Sequence, residues 1–392
     1  MSNATRILEH VRTRKDDLVA FLAKLVDAES PSSQPVAHGP ARRAIINALE
    51  ALDMYVRAVR TPGGAAHVYA RPAERRRHRP RQLLIGHYDT VWPVGTLGSR
   101  PFTVSGGRIT GPGVFDMKGG IAQIVFALAS VRELELELPL DPIVFINSDE
   151  EIGSRSSTRY IELLARRAER AFILEPSMGP TGRLKTARKG IGRFTVTVYG
   201  KAAHAGLNPE EGRSAILELA LIIQQLFDMN DPDRGISVNV GTVDGGIQPN
   251  VVAPHSRAIV DVRVPTVADG EAVEARIRSL RPSMPECRIV VEGGIGRPSM
   301  ERTPRNQALW RQAEALGAEL GLDLEEAFAG GGSDGNTTSL YTATLDGLGP
   351  VGDGAHAEHE FLDIDKTLER TALLALLLCA PPVEPDPGTL QP

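Results

Sequence analysis

The chain has 392 residues, 42% of them hydrophobic and 24% charged, with a net charge of −5. That length exceeds the size at which single cores stop growing, so two domains are expected. The mildly acidic balance argues against a nucleic-acid surface, and two cysteines, Cys287 and Cys379, supply neither a disulfide framework nor a multi-cysteine zinc site.

In chain order, residues 1–30 break their apolar positions with charges every few residues, as an amphipathic helix does and a signal peptide does not. The basic stretch "RPAERRRHRPR" (71–81) lies between "AAHVYA" and "QLLIG" and reads as a solvated loop between two strands. Three runs, 82–86, 142–146 and 171–174, are apolar without alternation, the pattern of parallel strands covered on both faces. Helical spacing fills 117–134 and 154–169 between them. The cations of "GRLKTARKG", namely Arg183, Lys185, Arg188 and Lys189, read as a solvated strand end. From about residue 190 the texture changes. Segment 193–200 alternates strictly, and the order that follows is β-α-β-β-α-β, the split pattern of a ferredoxin-like sandwich.

Segments of the earlier kind return at "NQALWRQAEALGAEL" and "TATLDGLG". The expectation is an α/β catalytic domain with a mostly parallel central sheet over 1–186 and 299–392, and an inserted α+β ferredoxin-like domain over 187–298. The run "ALLALLLCAPPV" is too short to span a bilayer, and residues 381–392 read as a disordered tail. A soluble, cytoplasmic protein without a membrane or nucleic-acid partner is expected.

Ligands of an open parallel sheet collect outside the carboxyl ends of its strands. "LLIG" is followed by His87 and then Asp89, "IVFI" by Asp149, Glu150 and Glu151, and "FIL" by Glu175, while Asp116 precedes the helix near Met117. So many acids at one sheet edge require compensating cations. Carboxylates and imidazoles without thiolates suit zinc, with cobalt or manganese as substitutes. The set suits two ions about 3.5–4 Å apart bridged by a carboxylate. A second imidazole is available at His356 or His359 in "GDGAHAEHEF". Any one of these acids alone would be read as a helix cap or turn residue. His10, His38, His67, His78 and His255 read as surface or structural.

The ordered motifs "GHYDTV", "GPGVFDMKGG", "SDEEIGS", "LEPS", "GKAAHAG" and "GAHAEHEF" resemble the dizinc aminoacylase and carboxypeptidase family, most closely its glutamate carboxypeptidase branch. The resemblance covers nearly the whole chain. It implies Asp116 as the carboxylate bridging two Zn2+, with His87 and Glu175 completing one site and Glu151 and His356 the other. It implies Asp89 as the partner orienting His87, Glu150 as general base, and a cis peptide at Asp116–Met117. His204 matches a histidine that polarises the substrate and, in that family, reaches the site of the partner subunit, so a homodimer through the inserted domain is implied. Asn250 and Arg297 match residues that hold a substrate carboxylate, and Gly331 in "GGGSDGN" matches a loop beside the substrate.

The activity implied is removal of a C-terminal amino acid, with glutamate favoured, from a small peptide or N-acyl amino acid. An N-acyl-amino-acid deacylase is the alternative with the same chemistry. A non-catalytic binding protein is disfavoured because every motif residue is intact. An aminopeptidase is disfavoured because the inserted domain is not expected in one.

Overall fold

The three apolar runs form neighbouring parallel strands, β3 (Arg81–His87), β6 (Asp141–Asn147) and β7 (Arg170–Ile173). Alternation sends Leu83, Ile85, Ile143, Phe145, Ala171 and Ile173 to one face, where α5 (Thr158–Ala165) packs through Ile161 and Ala165. Leu84, Val144, Ile146 and Phe172 point the other way, into the core shared with α4 (Gly119–Glu133) and α10 (Ile364–Cys379). Burial on both faces is why these strands show no polar alternation. β14 (Ala343–Leu345) extends the sheet in parallel, while β2 (Ala66–Pro72) and β1 (Met54–Arg60) add an antiparallel edge. The strand order is β1-β2-β6-β3-β7-β14.

This computed structural model describes residues 2–383 apart from 62, 64 and 77, so the tail expected at the C-terminus lies, beyond 383, outside the described residues. Residues Val114–Glu133 are apolar and long enough to cross a membrane, yet 94% of the relevant window is buried. It is a core helix. Gly120 at its start is obligatory, because a Cβ there would lie 2.1 Å from the Leu174 carbonyl oxygen just beyond β7. Four further helices, α1 (Asn3–Thr13), α2 (Lys15–Asp27), α3 (Gly39–Glu50) and α8 (Pro304–Glu319), contribute buried residues to the same core. A small sheet of order β15-β16-β5-β4 is made by β4 (Thr103–Ser105), β5 (Arg108–Thr110), β15 (Gly352–Asp353) and β16 (Phe361–Asp363).

The chain divides into two compact units, Met1–Thr186 with Arg302–Phe328 and Ser333–Pro392, and Ala187–Glu301 with Ala329–Gly332. β8 (Leu184–Arg188) pairs with β13 (Glu326–Ala329) in a two-stranded sheet. The first unit also holds the short α9 (Asp334–Thr338). The second unit comprises β9 (Gly190–Tyr199), α6 (Ala215–Phe227), β10 (Ser237–Gly245), β11 (His255–Val264), α7 (Val267–Arg278) and β12 (Arg288–Arg297). Its antiparallel sheet has the order β10-β11-β9-β12, as a ferredoxin-like sandwich requires. Alternate residues Phe194, Val196 and Val198 meet Leu219 and Ile222 of α6 in a core of its own.

One expectation needs correction. Arg188, read as part of a solvated strand end, is 3% exposed, and its Nη1 donates to the Gly331 carbonyl at 3.1 Å.

Candidate metal centre

His87 is the last residue of β3, Glu150 and Glu151 follow β6, Glu175 follows β7, and Asp116 lies in the turn before α4. His87 is buried, and its Nδ1 sits 2.9 Å from the backbone oxygen of Asp89. A carbonyl only accepts, so Nδ1 carries the proton and Nε2 presents a lone pair. That Nε2 lies 3.3 Å from Asp116 Oδ1 and 3.6 Å from Glu175 Oε1. Asp116 Oδ2 lies 3.4 Å from His356 Nε2, which is 2.9 Å from Glu151 Oε2. One carboxylate therefore offers one oxygen to each of two imidazoles.

Ligand atoms of His87, Asp116 and Glu151 all fall within 4.8 Å of one another, as do those of His87, Glu150 and Glu175. Among the described residues, His87 Nε2, Asp116 Oδ1 and Glu151 Oε1 are buried with no hydrogen-bond partner. Buried lone pairs that converge are unfavourable unless a proton or cation lies between them. An imidazole-and-carboxylate donor set of this kind fits divalent zinc. The bond between Asp116 and Met117 is cis. His359 is exposed and its nearest carboxylate is Asp353, at 4.0 Å, so of the two candidate histidines His356 joins the group.

The electrostatics of the protein chain alone register the same need for positive charge. Burial disfavours a charged His87, but Asp116, Glu175, Asp89 and Glu150 outweigh it and lift the ring well above its ordinary value. Hydrogen bonds donated to the Asp116 and Glu151 carboxylates push His356 up to about 10. Burial raises the Glu151 carboxyl to about 7, partly countered by His356. Burial also opposes an ionised Asp116, yet the two histidines beside it hold it below the usual carboxylate range. Removal from water raises Asp89 to about 6.

The supporting residues are more numerous than sequence reasoning identified. The Asp89 carboxylate accepts the Ser32 hydroxyl at 2.7 Å and the backbone N–H groups of Glu150 and Glu151 at 3.1 and 3.2 Å. Its Oδ1 stands 3.6 Å from His87 Nδ1, so the backbone oxygen of Asp89, not its side chain, makes the close contact. Asp149 turns away from the cluster and accepts from Ser156 N–H, Ser156 Oγ and Ser157 Oγ at 2.7, 2.8 and 2.6 Å. His67 is buried between Ser148 and Ser156. Glu360, 1% exposed, accepts from the N–H groups of Gly113, Phe115 and Asp116 and from Trp92 Nε1. It thus ties the loop that carries His356 to the turn that carries Asp116. Its only sequence signal is a glutamate four residues past a candidate ligand histidine.

The remaining site candidates belong to the second unit. His204 Nδ1 accepts the N–H groups of Gly206 and Leu207 at 3.1 and 3.2 Å. In the neutral ring this leaves the proton on Nε2, available for donation. Ala205 N–H donates to the Asn250 backbone oxygen at 3.0 Å, so His204 and Asn250 share adjacent loops. Arg297 ends β12 beside the Gly331–Gly332 segment, where a Cβ on Gly332 would lie 3.4 Å from Arg297 Cδ. Arg297 pairs with Ile191 at the start of β9, whereas His204 follows the end of that ten-residue strand. The two groups are therefore roughly 30 Å apart.

The sequence profile of peptidase family M20/M25/M40 matches residues 83–380. Carboxypeptidase G2 of Pseudomonas sp. (strain RS-16) is 30% identical over 302 residues, spanning 76% of this chain and 72% of that protein. Succinyl-diaminopimelate desuccinylase of Azoarcus sp. (strain BH72) is 28% identical over 338 residues, 80% of this chain and 87% of that one. The solved aminopeptidase PepT of Bacillus cereus matches with a TM-score of 0.77 at 20% identity, covering 93% of this chain and 98% of its own. The fold of that protein is thus shared over nearly the whole chain. The profile spans most of the chain: the protein belongs to peptidase family M20/M25/M40, the metal-dependent peptidases and amidohydrolases.

Proposed function

We propose that the chain is a dizinc carboxypeptidase-type hydrolase that releases a C-terminal amino acid, with glutamate as the expected residue, from small peptidyl or N-acyl substrates. The observation that carries this reading is the Asp116 carboxylate, with one oxygen toward His87 and the other toward His356. His87, Asp116 and Glu175 would hold one Zn2+, and Asp116, Glu151 and His356 the other, with Co2+ or Mn2+ as substitutes. Two bound ions polarise a scissile carbonyl and lower the pKa of water toward about 7.

Glu150 would accept the proton of the attacking water as its oxygen adds to the carbonyl carbon. It would then deliver that proton to the leaving nitrogen as the C–N bond breaks. Asp89 would keep His87 in its Nδ1–H form and hold the backbone of both glutamates. Arg297 would bind the carboxylate of the departing amino acid bidentately, beside the backbone of Gly331. The Nε2–H of His204, with Asn250 next to it, would donate to a substrate oxygen.

A small substrate spans far less than the separation between these two groups, so a single copy cannot supply both to one substrate. A homodimer through the second unit, in which His204 and Asn250 of one copy serve the metal centre of the other, reconciles them. Cytoplasmic residence is supported by the unpaired thiols of Cys287 and Cys379.

Replacing Glu150 by Gln tests the mechanism. The variant should keep its zinc, measured by metal analysis, while turnover falls about 10²–10⁴-fold; normal turnover would remove Glu150 from the base role. A panel of folates, Glu-terminated dipeptides and N-acetyl amino acids tests the substrate. The desuccinylase relative, matched over 87% of its length, favours N-acyl-amino-acid deacylation as the second reading. That bond is also an amide with a carboxylate on the amine side.

A further inference from the structure

The basic stretch forms an exposed loop between β2 and β3, and several of its side chains also line a concave surface. Together with the antiparallel edge of the large sheet it walls a cavity of about 420 Å³. The cavity opens at the amino ends of β3 and β6, beside Arg81 and Asp141. It is one seven-residue strand from His87, roughly 20 Å away.

Its charge is one-sided. The two acids that line it are already matched, Glu74 by Arg76 at 3.0 Å and Asp141 by Arg79 at 3.2 Å. Arg57, Arg75, Arg81 and Arg167 also line it, and none of them makes a side-chain hydrogen bond or ion pair with a described residue. Arg71 makes only neutral contacts, stacking 4.4 Å from the Tyr55 ring and donating to the backbone oxygens of Pro72 and Ala73. Five guanidinium groups without a carboxylate therefore converge in a chain whose overall charge is negative.

The floor is apolar and aromatic. Cross-strand pairing sets Arg57 beside Tyr69, and Tyr69 beside Phe145 on β6. Tyr160 and Leu164 of α5 close the far side. A concave, ring-lined floor beneath a rim of uncompensated guanidiniums matches a ligand with a flat apolar ring and several anionic oxygens.

We propose that this cavity binds a phosphorylated ring compound of the nucleoside diphosphate class, the ring on the tyrosine floor and the phosphates on Arg57, Arg81 and Arg167. The site is separate from the metal centre and does not depend on the reaction assigned there.

Calorimetric titration of the zinc-loaded full chain with ADP tests it, with pyrophosphate, adenosine and citrate as companions. ADP should saturate at one per chain and bind more tightly than any companion. The double variant Arg57→Gln, Arg167→Gln, altered at two exposed positions, should bind ADP about tenfold more weakly or worse. Its hydrolytic activity without nucleotide should equal the wild type. Zinc capture by ADP would persist in that variant, so it cannot imitate the expected loss. Absence of saturable ADP binding, equal affinity in the double variant, or pyrophosphate or citrate binding as tightly as ADP would each overturn the assignment.

Discussion

Changing Glu360 to Gln isolates the clamp that joins the two loops of the metal centre. The carboxylate receives four donors, Gly113 N–H and Trp92 Nε1–H on Oε2 at 2.8 and 2.9 Å, and Phe115 and Asp116 N–H on Oε1 at 3.0 and 3.1 Å. Gln fills the same space but replaces one acceptor oxygen by an NH2 group, so either orientation strands two donors. A buried donor without a partner costs about 1–3 kcal/mol. Trp92 is only half-buried and can recover a water, which brings the expected loss to about 2–4 kcal/mol. The melting temperature should fall by roughly 2–7 °C. Because the clamp fixes the turn that carries Asp116, zinc affinity measured by chelator competition should fall about 10–100-fold. Glu358→Gln, two residues away and exposed, is the control and should leave both unchanged. Unchanged stability and unchanged zinc affinity in Glu360→Gln would refute the clamp.

Protein stripped of metal by a chelator should hold protons where the ions bind, since His356 is raised to about 10 and Glu151 to about 7. Zinc binding at pH 7 should therefore release protons, visible as buffer-dependent binding heats, and apparent affinity should rise with pH. The sign for stability follows from the same shifts. A raised histidine stabilises the fold below its ordinary value and loses that contribution as pH climbs through about 10, so the stripped protein should melt lower at pH 9 than at pH 7. Gly120→Ala should cost about 3 kcal/mol or more in denaturant unfolding, because its Cβ meets a backbone oxygen that no rotamer can move. His204→Ala and Arg297→Ala should each impair hydrolysis alone. After subunit exchange their mixture should regain about a quarter of wild-type activity, since half the dimers are mixed and each has one intact site; a mixture no better than its parts would refute sharing between copies.

The candidate metal centre was legible in the sequence because ligands of a parallel sheet collect at strand ends, and a buried strand is an unbroken apolar run. His87, Glu151 and Glu175 could be found by stepping off the ends of "LLIG", "IVFI" and "FIL". The ferredoxin-like order was legible for a similar reason, as one-sided strands alternate. Glu360 was not legible, because its meaning depends on donors some 245 residues earlier in the chain, and no local pattern encodes such a contact. The roles of Asp89 were mixed for a related reason: a sequence names the side chain, but here the backbone oxygen meets the imidazole. The arginine stretch was legible as an exposed loop between two strands, but only the register of β1, β2 and β6 reveals the concave wall beside it.

The run of three carboxylates after β6 is tolerable because the chain sends each in a different direction. Asp149 folds back onto the serines at the head of α5, where three donors satisfy it. Glu151 reaches His356, and Glu150 joins His87 and Glu175. What fixes this divergence is the carboxylate of Asp89, which takes the N–H groups of both glutamates and so locks their backbone before any cation is present. The same residue, through its carbonyl, selects the tautomer of His87. Two consecutive glutamates can then differ in task because their directions are set by a third acid whose own charge is spent on the backbone.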